Sequence, residues 1–337
     1  MAQAPITRSP IFRPGTRAAE KNKPLMNITS VAVGMALAVV AANGQTPARS
    51  VDGQPDLQGI WSNATITPLE RPADLAGKQT LTPEEAAAYE KKVLDRTNAD
   101  HRGANSEADV ATAYNQFWYD RGTKAVGTRR TSLIVDPSDG HIPALTPEAQ
   151  KRVDEKRAWM EAHATDGPEG RSLGERCILW ATAGPPMLPG PYNNNFQIVQ
   201  TRDRVVILNE MIHDARVIPL DGSPHLPDNI RQWRGDSRGH WDHDTLVVDT
   251  TNFSDEYSFR GSDRNMHLTE RFKRVSPDAL LYEFTVDDPT AFTKPWTAQI
   301  LVTRTKGSIF EYACHEGNYA LTDILAGARA EDKKISK

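Results

Sequence analysis

The sequence predicts a mainly β protein: an antiparallel meander that closes into a barrel or a strongly curled sheet, with two helices inserted on its N-terminal side. Three observations predict it. From Cys177 to Tyr319, short apolar runs recur, many alternating with a period of two, and turn residues separate most of them. Connections as short as Ser276-Pro-Asp278 and Lys306-Gly307 demand antiparallel neighbours. No convincing internal repeat is present, which disfavours a propeller, and closure is the economical way to remove exposed strand edges.

Composition sets outer bounds. A chain of 337 residues that is 38% hydrophobic and 25% charged can bury a real core. The formal charge of −4 argues against nucleic acid as a partner, because such proteins present a basic face. Basic pairs such as Arg129-Arg130 read as solvated surface.

Residues 1–42 read as a signal peptide. Arg8, Arg13, Arg17, Lys21 and Lys23 precede an apolar run, Val31 to Ala42, that is too short to span a bilayer. Val40-Ala41-Ala42 offers small side chains for cleavage, and Met26 is an alternative start that would forfeit every basic residue of the leader. The expectation is a secreted or periplasmic protein with no membrane span after leader removal. A polar linker follows over 43–55, then one β-rich domain over 56–330 and a polar tail over 331–337. Within the domain, 56–170 is the helix-decorated part and 171–320 the meander core.

Taken in order, Gly59-Ile-Trp61 opens a first strand. Thr82-Pro-Glu-Glu85 is a helix start, with threonine as N-cap, proline in the first turn and glutamate at N3, and the helix should run to about Arg96. Residues 97–112 are small, polar and acidic, which predicts a surface loop. Phe117, Trp118 and Tyr119 then cluster, either under that loop or at a ligand mouth. Thr131 to Val135 reads as a strand, Asp136 to Gly140 as a turn, and Thr146-Pro-Glu148 as the start of a second, solvated helix. Strands are then expected at Cys177–Trp180, 195–200, 204–211, 213–220, 245–251, 267–275, 279–287, 296–304 and 308–314. A loop rich in Pro, Gly and Arg is expected over 221–239.

The only two cysteines, Cys177 and Cys314, could pair in an oxidising compartment or remain as buried thiols. A bridge between them would contribute on the order of 4 kcal/mol by the chain-entropy model.

Six of the nine histidines fall in the meander. Four polar clusters stand out: His213-Asp214-Ala215-Arg216; His240-Trp241-Asp242-His243; His267 with Glu270 and Arg271; and His315-Glu316 after Cys314. In the strand over 267–275, Glu270 shares a face with Leu268 and Phe272. A carboxylate on an apolar face must be paired or functional. Glu283 falls on the outer face of its strand.

If the clusters meet at one rim or in the lumen, His213, His240, Glu270 and His315 with Arg216 supply acid/base chemistry of the lyase or hydrolase type without a cofactor. Trp118, Trp233, Trp241 and Trp296 would then stack on a sugar or an aromatic ligand. Two alternatives stay open. One is a non-catalytic, lipocalin-like ligand-binding protein. The other is a hydrolase with zinc or another divalent metal on His213, His240, His243 and His315. Whether the protein is an enzyme at all stays open with them. No spacing matches a strong metal motif. Gly235-Asp-Ser-Arg-Gly239 fits the G-x-S-x-G pattern, but a strand follows it where the nucleophile elbow needs a helix. A Gly-rich phosphate loop and a dinucleotide fingerprint are both missing.

Two resemblances attach to these residues. The Gly59-Ile-Trp61 opening resembles that of calycin barrels, the lipocalins and their relatives, and implies a tryptophan that plugs one barrel end. The strings IHDARVIPLDG, GDSRGHWDHDTLVVDTTNF, YEFTVDDP with PWT, and YACHEGNY, spread over about 56–330, resemble a family of exported proteins of unknown function from soil bacteria. That resemblance implies a shared fold and export, and no activity.

Overall fold

The computed structural model describes residues 48–101, 115–180 and 182–335. The expected signal peptide, and most of the loop expected over 97–112, lie outside the described residues.

Ten strands form one antiparallel sheet: β1 (Gly59–Ser62), β2 (Ile134–Asp136), β3 (Asn195–Gln200), β4 (Arg204–Asn209), β5 (Ala215–Pro219), β6 (Asp236–Asp242), β7 (Thr245–Thr251), β8 (His267–Ser276), β9 (Ala279–Asp287) and β10 (Trp296–Arg304). Nine of them follow the order β5-β4-β3-β1-β10-β9-β8-β7-β6, with β2 paired to β10. β1 sits between β3 and β10, so the N-terminal strand joins the two halves of the meander. The path curls into a nearly closed barrel. No ladder joins its two ends, β5 and β6, among the described residues. Side chains close that seam instead. A Cβ on Gly239 of β6 would stand 2.7 Å from Leu220 and 2.9 Å from Ile218, so only glycine lets the two edges approach.

The expected alternation holds strand by strand. Leu268, Glu270, Phe272 and Arg274 of β8, Leu280, Tyr282, Phe284 and Val286 of β9, and Trp296, Ala298, Ile300 and Val302 of β10 are buried. Their neighbours along each strand face outward or are only partly covered. These side chains fill the interior with Trp61, Phe196, Ile198, Ile207, Ile218, Leu246 and Val248, so the lumen is a packed core. Trp61 is wholly buried, donates its indole N–H to the Leu57 carbonyl at 2.9 Å, and lies under the Arg304 guanidinium.

Helix α1 (Pro83–Thr97) carries the complete capping box, with Thr82 Oγ1 accepting from Glu85 N and Glu85 accepting from Thr82 N. Helix α2 (Pro147–Ala162) is capped by Thr146. Helix α3 (Tyr319–Ile335) covers most of the stretch read as a tail over 331–337. Its Arg329 donates to the Thr165 and Asp166 carbonyls, each at 2.6 Å, which fixes the helix beside the end of α2.

Two expected strands and one expected loop are corrected. Residues 177–180 and 308–314 form no strand. Cys177 has φ 57°, which no ladder accommodates, and backbone bonds from Cys177 N to Gly174 O and from Ile178 N to Leu173 O fold this segment on itself. The loop expected over 221–239 gives way at Asp236 to β6, because Ser237 and Gly239 pack inward against β7 although the string DSRGH has no apolar alternation. The cysteines do pair: Cys177 and Cys314 form a disulfide with Cα atoms 5.7 Å apart, joining two irregular segments rather than two strands.

Candidate functional site

The strand registers place the predicted residues at two opposite ends of the barrel. The near end carries Asn209, Ala215, Asp236, His267 and Trp296, and the far end carries Pro219, Asp242, Thr245 and Ser276. His213 precedes β5 at the near end and is exposed. His240 and His243 stand on the outside toward the far end, also exposed, where His243 Nδ1 lies 2.9 Å from Asp242. His315 is exposed beside the disulfide, outside the sheet. The four clusters therefore do not converge on one rim or in the lumen. Among the described residues, no three His, Cys, Asp or Glu side chains are placed to hold a metal ion.

Arg216 and Glu270 do meet, inside the barrel. Arg216 donates from Nη1 to Glu270 Oε2 at 2.5 Å and from Nη2 to Oε1 at 3.2 Å, and Tyr282 donates its hydroxyl to Oε1 at 2.8 Å. Glu270 is 0% exposed and Arg216 8%. Because β5 and β8 lie on opposite sides of the unpaired seam, this pair ties the β5 edge to β8 across the interior. The Tyr282 hydroxyl in turn accepts from Met187 N at 2.9 Å, and Tyr257 donates to the Pro185 carbonyl at 2.8 Å. Both tyrosines thus fasten the 184–191 loop onto the barrel. Burial, and then the Glu270 charge, push both phenols above the ordinary tyrosine range.

Of the four tryptophans expected to face a ligand, Trp296 is wholly buried, flanked by Phe259, Phe284 and Phe292. Its place on the inward face of β10 removes it from any ligand surface. Trp241 packs half-buried against the core, and Trp233 is half-buried. Trp118 is 59% exposed and meets Phe117 edge to face. None of the four lines the large aromatic cleft.

That cleft, about 760 Å³, lies between α2, the 169–180 segment and the 256–259 segment. Its walls are Trp159, Met160, Leu173, Leu179, Trp180 and Phe259, and Tyr257 also lines it. The local chemistry that builds it is clear. A Cβ on Gly174 would stand 2.9 Å from the Trp180 ring, so glycine there lets the indole lie against the backbone. The disulfide and a 2.7 Å bond from Asn318 Nδ2 to the Glu175 carbonyl hold the 171–180 wall. An Arg176–Glu256 ion pair at 3.2 Å and a bond from Lys156 Nζ to the Glu256 carbonyl at 3.1 Å bridge the walls. Sequence reading missed this cleft because Trp159 and Trp180 lie on a charged helix and in a segment read as a strand. The signal available was the cysteine between them, which marks a fixed loop.

A second polar cluster lies on the outer face of β6, β7 and β8. His225 sets Nδ1 2.9 Å from Asp236 and Nε2 2.9 Å from Asp249, whose other oxygen is 2.5 Å from His267 Nε2. Arg238 donates to Asp236 at 2.8 Å. Partial burial would raise the Asp249 carboxyl, but the hydrogen bonds from His267 and His225 outweigh it and hold it below the usual range. The Asp249 hydrogen bond raises His267 above its ordinary 6.5 against the opposing effect of burial. The imidazolium's contribution is therefore complete below 6.5 and is lost as pH rises through the raised value. The carboxylate's contribution is present above the ordinary aspartate pKa and is lost as pH falls through the depressed one. Asp249→Asn is expected to bring the His267 titration, followed by its ring-proton NMR shifts, down toward 6.5. An unchanged midpoint would refute the link.

No family model, curated protein or solved structure matches the chain.

Proposed function

We propose that this is an exported small-molecule-binding protein whose ligand, an aromatic compound, lies between Trp159 and Trp180 in the cleft beside α2. The observation that carries the reading is the cleft itself: about 760 Å³, the volume of a drug-sized site, with aromatic and aliphatic walls beside a set of charged residues that includes Lys156, Arg176 and Glu256. Trp180, Phe259 and the face of Trp159 not covered by His163 give planar surfaces for a ring to stack on. Export is supported by the Cys177–Cys314 disulfide, since such bonds persist in oxidising compartments. It also agrees with the resemblance to an exported soil-bacterial family. No helix among the described residues is long and apolar enough to cross a membrane.

Binding without chemistry is favoured over acid/base catalysis by the state of Glu270. Both its oxygens already accept hydrogen bonds, no histidine lies among their partners, and the group is sealed from solvent. A general base must reach the proton it removes.

Titration with a panel of neutral phenols and indoles, read by quenching of tryptophan fluorescence, tests the reading. A saturable ligand is expected, and Trp180→Ala should weaken it about tenfold or more, the loss typical of removing a stacking ring. Parental affinity in both Trp180→Ala and Trp159→Ala would remove the cleft from consideration.

A further inference from the structure

A second groove of about 900 Å³ adjoins the cleft and shares Ser258 and Phe259 with it. It runs between the end of α1, the 65–69 and 119–121 segments and the 182–191 loop. Three arginines line it, Arg96, Arg121 and Arg260, and none of its described lining residues is an aspartate or glutamate. In a chain of net charge −4 this is a local reversal of sign. Among the described residues none of the three has a side-chain hydrogen bond or close ion pair, and Arg96 adds only a lesser effect to the Lys92 hydrogen bond that lowers the Asp74 carboxyl. Arg121 lies with its guanidinium 3.9 Å from the Tyr119 ring centroid, and its buried Nε has no hydrogen-bond partner. Asp120, next in sequence, does not line the groove, and burial and then the Glu210 charge raise its carboxyl.

The rest of the groove is apolar in effect. Leu69, Leu133 and Leu188 line it. Three of its hydroxyls are turned to their own chain: Thr65 donates to the Lys124 carbonyl at 3.0 Å, Thr97 to the Val93 carbonyl at 2.9 Å, and Thr67 accepts from Val126 N at 2.9 Å. Guanidinium forks with no hydrogen-bonded carboxylate among the described residues, over an aliphatic floor, suit a ligand with an acidic head and an apolar body.

We propose that this arginine-lined groove is a binding site for an organic anion with an apolar body, a carboxylate in the first instance, distinct from the aromatic cleft. An acidic head group would be held by Arg121 with Arg96 and Arg260, and an aliphatic chain would lie over Leu69, Leu133 and Leu188.

Calorimetric titration of the protein with octanoate, octanesulfonate and octanol tests it. Octanoate is expected to bind at one site, octanol at least tenfold more weakly, and the octanoate affinity to fall as salt is raised. A sulfonate that binds more tightly than octanoate keeps the anion site and assigns it to sulfate- or phosphate-headed ligands. Arg96→Gln/Arg260→Gln alters two exposed side chains, so the fold is spared, and it should weaken octanoate about tenfold or more. Trp180→Ala, in the neighbouring cleft, should leave octanoate binding unchanged, so the two sites stand or fall separately. Octanol binding as tightly as octanoate, full affinity in the double-arginine variant, or no binding of either anion would overturn the proposal.

Discussion

Glu270→Gln is expected to destabilise the fold by about 3–5 kcal/mol, the usual cost of removing one partner from a buried ion pair. Had Glu270 served as an acid/base group, the same change would be expected to abolish turnover and spare the fold. The structure reverses it because Glu270 is 0% exposed and accepts from both Arg216 nitrogens and from Tyr282. A neutral amide leaves the Arg216 guanidinium buried without a counter-charge, and it presents an NH₂ where a carboxylate oxygen accepted. The pair also ties β5 to β8 across a seam that no backbone ladder closes, so the loss falls where the barrel has least else to hold it. Urea unfolding should show a lower midpoint with an unchanged slope. The double variant Arg216→Met/Glu270→Leu, which removes both charges, should recover most of the loss. A Glu270→Gln protein with the parent's urea midpoint would show that the pair contributes no net stability.

Loss of the Cys177–Cys314 disulfide is the second large effect. It closes a loop of 137 residues, and the chain-entropy model gives about 4–5 kcal/mol for a loop of that length. Cys177→Ser/Cys314→Ser should unfold at correspondingly lower urea concentration, and the parent protein should match it after reduction. The consequence is also local, because Cys177 sits in the 171–180 wall of the aromatic cleft. The variant's affinity for the cleft ligand should therefore drop even under conditions where it stays folded. Equal unfolding midpoints with and without reductant would refute the contribution.

The barrel was legible where burial imposes a period. β8 to β10 alternate so regularly that Leu268, Phe272, Tyr282 and Phe284 could be turned inward from the string alone, and Glu270 with them. Thr82 and Thr146 announced both N-terminal helices, because a cap acts within one turn. β6 was not legible. Its inward residues are Ser237 and Gly239, which serve a hydroxyl bond to Thr250 and the approach of β5, while Asp236 faces outward in a salt link to Arg238; none of these has a hydrophobic signature. Residues 308–314 show the converse: an apolar run that alternates yet finds no strand to pair with.

The site was less legible than the fold. Arg216 and Glu270 were both singled out, and their partnership is tertiary. They are 54 residues apart and meet only because the sheet curls. The histidines were grouped by composition, but register sends His240 and His243 toward one end and His213 to the other.

By itself, then, the sequence determined the fold class, the capped helices, most strands and their inward faces, because period and capping are local consequences of backbone geometry. Only the tertiary structure decided the closure of the barrel, the partner of Glu270, the pairing of Cys177 with Cys314, and the two grooves beside α1 and α2. Each of these depends on distances between segments far apart in the chain, and no local pattern of residues encodes such a distance.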